Sequence, residues 1–172
     1  KKKNTENLFG YKYTINAGFG GEIEEAAAND GTTIIVEDLF VNVPVRKKFL
    51  KSESRENAEV FDIIMKFALV RPDISFKLYI DNCLKFKTSG NDDLKSVIYD
   101  IYGKEIFNNL LEVSSDIKGV VVRGYIARPS VARNNRNDEV YFVNERFVKN
   151  VVLQKSIEEA YSEYLMQHKF PL

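Results

Sequence analysis

Apolar and polar residues alternate from Tyr11 to Ile15, and a period of two predicts a strand. A connection through Gly18, Gly20 and Gly21 is expected next, followed by the small, polar stretch Ala26–Asp30. Gly31 then introduces a β-branched run, Thr32–Val36, expected as a second strand. Asn42 and Pro44 form a helix start, because proline is tolerated in the first turn, and a short helix carries Arg46 to Leu50. Ser52 or Ser54 is the expected cap of a longer helix, with Glu53 and Glu56 at the positive end of its dipole. On that helix Ala58, Phe61, Met65 and Ala68 share one face, flanked by Val60 and Ile64. Pro72 disfavours helical backbone in the residue before it, so the helix should stop near Val70–Arg71.

Further along, Ile74, Phe76, Leu78 and Ile80 alternate and predict a strand over Ile74–Ile80. Asp81-Asn82 supplies a tight turn, and Leu84 and Phe86 continue the alternation on a returning strand. Leu94, Val97, Ile98 and Ile101 follow helical spacing after Asp92-Asp93, with Gly103 placed to end that helix. Gly119–Ala127 reads as a long strand, residues 128–138 as a polar loop and Val140–Asn144 as another strand. Leu153, Ile157, Ala160, Tyr161 and Tyr164 mark a last amphipathic helix. This order predicts an α+β or α/β fold, a mixed β-sheet covered by helices, and the α+β form is preferred.

Composition removes several classes of chemistry. Among 172 residues, 44% are apolar and 29% charged, which fits one domain or two small ones with a real core. No apolar run approaches the roughly 18 to 20 residues needed to span a membrane. Cys83 is the one cysteine and His168 the one histidine. A disulfide framework, a Cys- or His-rich metal site and a Ser-His-Asp triad are therefore not expected, and a reducing, cytoplasmic setting fits best. The chain opens Lys1-Lys2-Lys3 without an initiator Met, as expected of a fragment. Lys plus Arg equals Asp plus Glu, 25 against 25, so nucleic-acid binding would have to come from local patches.

Three features stand above this background. Gly31-Thr32 at the head of a strand is either a turn glycine or a place where a ligand approaches the backbone closely, with hydroxyls in reach. Arg46, Lys47, Lys48 and Lys51 either contact phosphate or sit at the negative pole of a solvated helix end. Between Lys118 and Lys155, eight basic residues stand against three acidic ones, a local excess of five. The amide-rich loop Arg128–Asp138 inside that segment either binds phosphate or is mobile surface. Tyr141 and Phe142 interleave with the charge and are expected to be half core. Asp92-Asp93 reads as a helix cap, Cys83 as a half-buried hairpin residue and His168 as surface. Glu158, Glu159 and Glu163 read as the wet face of the last helix. No catalytic constellation is visible, so the chain is expected to be a binding or coupling module.

The run Gly31-Thr-Thr-Ile-Ile-Val-Glu-Asp-Leu-Phe-Val-Asn-Val-Pro-Val-Arg-Lys-Lys-Phe-Leu-Lys51 resembles a block of the MutL family of DNA mismatch-repair proteins. The likeness continues through Ala68-Leu-Val-Arg-Pro-Asp-Ile-Ser-Phe76, Gly124-Tyr-Ile-Ala-Arg-Pro129 and Arg133-Asn-Asn-Arg-Asn-Asp-Glu-Val-Tyr-Phe-Val-Asn-Glu-Arg146. The resemblance implies that residues 1–52 are the C-terminal piece of a GHKL ATPase module. Residues 53–172 would be most of a transducer subdomain, a ribosomal-protein-like fold with a left-handed βαβ crossover. The implied cofactors are ATP and Mg2+ in the parent protein, with Gly31 and Thr32 the matching nucleotide element. The family's general-base glutamate and glycine-rich lid lie upstream, and its γ-phosphate lysine lies beyond Leu172. The chain alone is therefore not expected to bind or hydrolyse ATP usefully.

Implied partners are double-stranded DNA without sequence preference, the mismatch-recognition protein MutS, and a second copy or paralogue. Arg133, Arg136, Arg146 and Lys149 are the expected phosphate contacts. Lys155 is a weaker candidate, and Arg46, Lys47 and Lys48 are weaker still. Departures from the family pattern are Val41, Val45 and Glu145, the last standing where a glycine is usual. An Asn-Gly pair suits a two-residue turn with positive φ at both centres, so Glu145 implies a different turn or a strained one. Two rivals are the transducer of another GHKL protein, such as a type II topoisomerase, and a protein-interaction module without DNA contact.

Overall fold

The computed structural model describes residues 9–172 and the backbone of Lys2–Lys3. The chain divides into two compact units, Lys1–Glu53 and Ser54–Leu172.

The first unit holds an antiparallel sheet of β1 (Lys2–Lys3), β2 (Gly10–Asn16), β3 (Phe19–Ala26) and β4 (Gly31–Thr32), in the order β3-β2-β1-β4. β2 contains the expected Tyr11–Ile15 strand. Gly20 and Gly21, expected in a connection, lie inside β3, and the reversal is made by Ala17 and Gly18, both at positive φ. Gly20 fits there because the Tyr13 hydroxyl of the neighbouring strand lies 2.1 Å from where a Cβ would stand. The strand expected over Thr32–Val36 is short: β4 is Gly31–Thr32, and Ile34, Ile35 and Val36 are exposed. β-branched residues favour extended backbone, but a strand also needs a hydrogen-bonded neighbour. Helix α1 is one turn, Pro44–Lys47, with proline in its first turn as expected.

The second unit carries the core. Helix α2 (Glu53–Val70) stops two residues before Pro72 and buries Met65, Ala68 and Leu69, with Phe61 and Ile64 partly buried beside them. β5 (Lys77–Ile80) and β6 (Cys83–Lys87) form a hairpin whose Leu78 and Phe86 enter the same cluster. Phe86 meets the Phe61 ring edge-on at 5.5 Å. Asp81 and Asn82 make the turn, at φ 52° and 60°, which short polar side chains tolerate. Cys83 is exposed, not half-buried.

Ahead of β5, residues 74–76 are held by Thr88 instead of by ladder pairing. The Phe76 amide donates to Thr88 Oγ1 at 2.9 Å, and the Thr88 amide donates to the Phe76 carbonyl at 2.9 Å. Gly90 follows at φ +73°, where a Cβ would lie 2.5 Å from the Ser75 nitrogen.

Asp93 caps helix α3 (Leu94–Asn108), its carboxylate accepting from the Lys95 amide at 3.0 Å. Gly103 interrupts α3 at φ 81° without ending it, and a second stretch delivers Ile106 to the core. β7 (Leu110–Ile117) was not expected. It pairs in full register with β8 (Val120–Ala127) around Lys118 and Gly119, both at positive φ. A 3-10 turn (Pro129–Val131), the hairpin β9 (Tyr141–Val143) and β10 (Arg146–Val148), and helix α4 (Val151–Tyr161) complete the unit. The α+β class holds, and every pairing among the described strands is antiparallel. No helix among the described residues is long and apolar enough to cross a membrane.

Candidate nucleic-acid interface

The hairpin β9–β10 carries Arg146 and leads directly into Lys149. Val143 pairs with Arg146 across a two-residue turn, and Asn144 and Glu145 have φ of 48° and 64°. The turn is the one an Asn-Gly pair would make, so Glu145 carries the strain of left-handed backbone, about 1 kcal/mol or more for a residue with a Cβ. Phe142 and Phe147 face each other across the pair with ring centroids 6.2 Å apart. Phe142 packs on the core, and Tyr141 is half-buried with its hydroxyl directed to Glu139.

Arg146 and Lys149 therefore emerge on the solvent side of β10 and just beyond it. Asn150 caps α4 by accepting from the Val152 and Leu153 amides, at 2.8 and 3.2 Å. That cap fixes the helix start, so Lys155 projects from the second turn as an exposed residue. Among the described residues none of Arg146, Lys149 and Lys155 is in an ion pair.

Arg133 and Arg136 differ. The Arg136 guanidinium forks onto Glu158 of α4, with Nε and one terminal nitrogen each donating to a carboxylate oxygen. Its flat face lies 4.1 Å from the centroid of Phe170. Hydrogen bonding from Arg136 holds the Glu158 carboxyl below the ordinary glutamate value, and the same contact holds Arg136 more firmly charged. Arg133 Nε lies 2.8 Å from Asp138 Oδ2, a close ion pair whose N–H is not aligned on the oxygen. Its backbone pairs with Phe170 in both directions at 2.8 Å. The loop read as either phosphate-binding or mobile surface is thus tied to α4 and to the last residues of the chain.

Beneath these groups lies a cleft of about 400 Å³, with Asp62 and Lys66 on the α2 side and Arg136, Glu139, Tyr141, Phe147 and Lys149 opposite. Lys66 pairs with Asp62 at 2.5 Å and sits 4.0 Å above the Phe147 ring. Glu139 is 8% exposed and accepts from Tyr141 at 3.2 Å, while its other oxygen is buried without a partner. Burial pushes its carboxyl above the ordinary glutamate value, partly offset by the tyrosine bond.

In the first unit, Gly31 and Thr32 are exposed, and Gly31 has φ +108° with open space where a Cβ would stand. That backbone admits a close approach, but one hydroxyl and one glycine do not make a nucleotide site. Among the described residues no cluster of His, Cys, Asp or Glu could hold a metal ion. Arg46 and Lys47 end α1 as a basic last turn, with Lys48 just past it.

The candidate cations were legible from local charge, but their partners were not. Asp138 entered only as one of the acids in the segment. Glu158, read as wet helix face, lies 22 positions from Arg136. Lys66 and Asp62, four apart on a helix, carried a spacing signal that points to a pair.

These observations define an α+β protein whose second unit displays exposed cations at the end of a hairpin and at the start of a helix. Residues 98–172 match the family model described as DNA mismatch repair protein, C-terminal domain. Over 169 residues the chain is 47% identical to the DNA mismatch repair protein MutL of Agathobacter rectalis, covering 98% of this chain and 26% of that protein. Over 171 residues it is 43% identical to the MutL of Clostridium beijerinckii, covering 99% and 26%. Among solved structures it resembles the Aquifex aeolicus MutL ATPase domain complexed with ADP, with a TM-score of 0.76 and 26% identity over 92% of this chain and 60% of that one. It also resembles the N-terminal domain of a DNA repair protein, with a TM-score of 0.79 and 25% identity over 98% and 56%. The chain belongs to the MutL family of DNA mismatch repair proteins. It spans about a quarter of the length of the curated relatives it matches.

Proposed function

We propose that this chain links the nucleotide state of a mismatch-repair matchmaker to its hold on DNA. In this reading residues 1–52 close a GHKL ATPase module and residues 53–172 form the transducer that follows it. ATP and Mg2+ would bind largely to other parts of the parent protein, with Gly31 and Thr32 contributing backbone and hydroxyl. The ADP in the Aquifex relative supports that assignment. Nucleotide binding would close two such regions, from identical or paralogous chains, and a MutS-like protein would be the signalling partner, all in the cytoplasm.

The observation that carries the DNA part is the set of exposed cations with no ion-pair partner among the described residues, Arg146, Lys149 and Lys155, on one hairpin and the adjoining helix start. Arg133 and Arg136 adjoin them, while Arg46, Lys47 and Lys48 form a lesser set on the first unit. Lysine and arginine contacts to phosphate carry no sequence information, which suits a protein that must act on any sequence. Titration of a fluorescent random-sequence duplex across a salt series tests this. Log affinity should fall linearly with log salt. Arg146→Gln with Lys149→Gln should flatten the slope by about 0.9 for each phosphate that is no longer neutralised. An absence of binding at low salt would overturn the DNA reading and leave a protein-interaction module.

A further inference from the structure

Resting on that DNA reading, we infer that Glu158 and Asp138 occupy phosphate positions, so that Arg136 and Arg133 grip a nucleic-acid backbone only once these carboxylates are displaced. A guanidinium recognises carboxylate and phosphate through the same pair of parallel N–H bonds. Glu158 fills the edge of the guanidinium formed by Nε and one terminal nitrogen, so one of the edges by which Arg136 could meet a phosphate in parallel bonds is already taken. The guanidinium does not depend on Glu158 alone for its orientation, because the Phe170 ring lies 4.1 Å from it. Removing the carboxylate therefore leaves an oriented, empty fork.

Exchange is energetically feasible. The Arg136 side chain is half exposed and that of Glu158 about a quarter exposed, and pairs open to solvent hold one another only weakly. Asp138 is the poorer stand-in, since its oxygen is close to Arg133 Nε without alignment of the N–H. The two carboxylates sit on different elements, one in the loop and one on α4. A small shift of α4 against the loop would free Arg136 first. The basic surface thus has two tiers: Arg146, Lys149 and Lys155 are available at rest, and the two arginines are held in reserve.

Binding of the same duplex to Glu158→Gln tests the inference. The variant should tighten binding roughly two- to fivefold at low salt, the range an exposed ion pair commands. It should also steepen the salt slope by about 0.9, one further phosphate neutralised. Glu159→Gln removes the same charge from the next position of α4 without emptying a fork, and should have a clearly smaller effect. Adding Arg136→Gln to Glu158→Gln should remove the gain. Glu158→Asp keeps the charge but shortens the reach, so tightening there cannot be a net-charge effect, and it serves equally if the glutamine variant loses its thermal transition. Equal effects of Glu158→Gln and Glu159→Gln, or a gain that survives removal of Arg136, overturn the inference while leaving the DNA reading intact. Failure of every variant to bind at low salt overturns both.

Discussion

Two hairpins of the second unit are built on the same turn and put to opposite uses. β5–β6 reverses through Asp81-Asn82 and β9–β10 through Asn144-Glu145, and all four residues have positive φ. The first sends Leu78 and Phe86 into the core and closes on short polar residues that accept left-handed backbone. The second joins a partly buried Phe142 to an exposed Phe147 and carries Arg146 and, just beyond it, Lys149 outside, with a glutamate at the strained position. The difference lies in what each hairpin can lose. Side chains of the first hold the unit together, while the solvent-side cations of the second can change with little cost to folding.

The largest expected effect belongs to the first hairpin. Phe86→Ala removes a side chain that is 4% exposed and edge-packed on Phe61, and should cost about 3–5 kcal/mol in urea unfolding. Gly90→Ala comes next, since a Cβ there meets backbone at 2.5 Å and the residue sits at φ +73°; a loss of at least about 2 kcal/mol is expected. On the second hairpin, Arg146→Gln and Lys149→Gln should leave the unfolding midpoint nearly unchanged while lowering the salt slope of duplex binding. A large stability loss there would break the comparison.

Glu145→Gly should raise stability by about 0.5–1 kcal/mol, the relief of left-handed strain less the extra freedom of glycine when unfolded. Asn82→Gly should gain less, because asparagine already tolerates its turn.

The smallest effect is in the pH dependence, where two carboxylates act with opposite sign. The Glu158 carboxyl lies below its unfolded value near 4.5, so the stability it adds is present above that pH and lost as pH falls below it. The Glu139 carboxyl lies above the same value, so the folded state binds a proton the unfolded state has released, and stability falls as pH rises through that window. Glu139→Gln should therefore stabilise the chain at neutral pH and flatten its profile above pH 4.5, and thermal melts between about pH 4 and 8 would show it.

The elements read correctly from sequence were those with a local mechanical cause. Pro72 ended α2, Asp93 capped α3, and Asp81-Asn82 turned the first hairpin. β7 was missed because Ser114, Ser115 and Asp116 interrupt its alternation, and its stability comes from β8, its partner in every register position. Thr32–Val36 was overextended because propensity describes a residue and pairing describes a neighbour. Gly103 marked a break but could not show that the chain resumes its helix beyond it. At the candidate site the cations were legible and their neutralisation was not, since an ion pair across 22 residues leaves no trace in local spacing.

The reciprocal backbone bonds between Arg133 and Phe170 have a kinetic corollary. Ala127 donates to the Leu172 carbonyl at 2.8 Å, and Lys169 reaches Asn134 at 2.5 Å, so the stretch 127–134 and the stretch 169–172 are zipped together. Segments joined this way open as one cooperative unit, and their amides should exchange with solvent deuterium at a shared rate. Unzipping residues 169–172 would raise the exchange of the Arg133 amide. It would also take the Phe170 ring from beneath Arg136. The order of the basic loop is thus set from a part of the chain almost forty residues away from it.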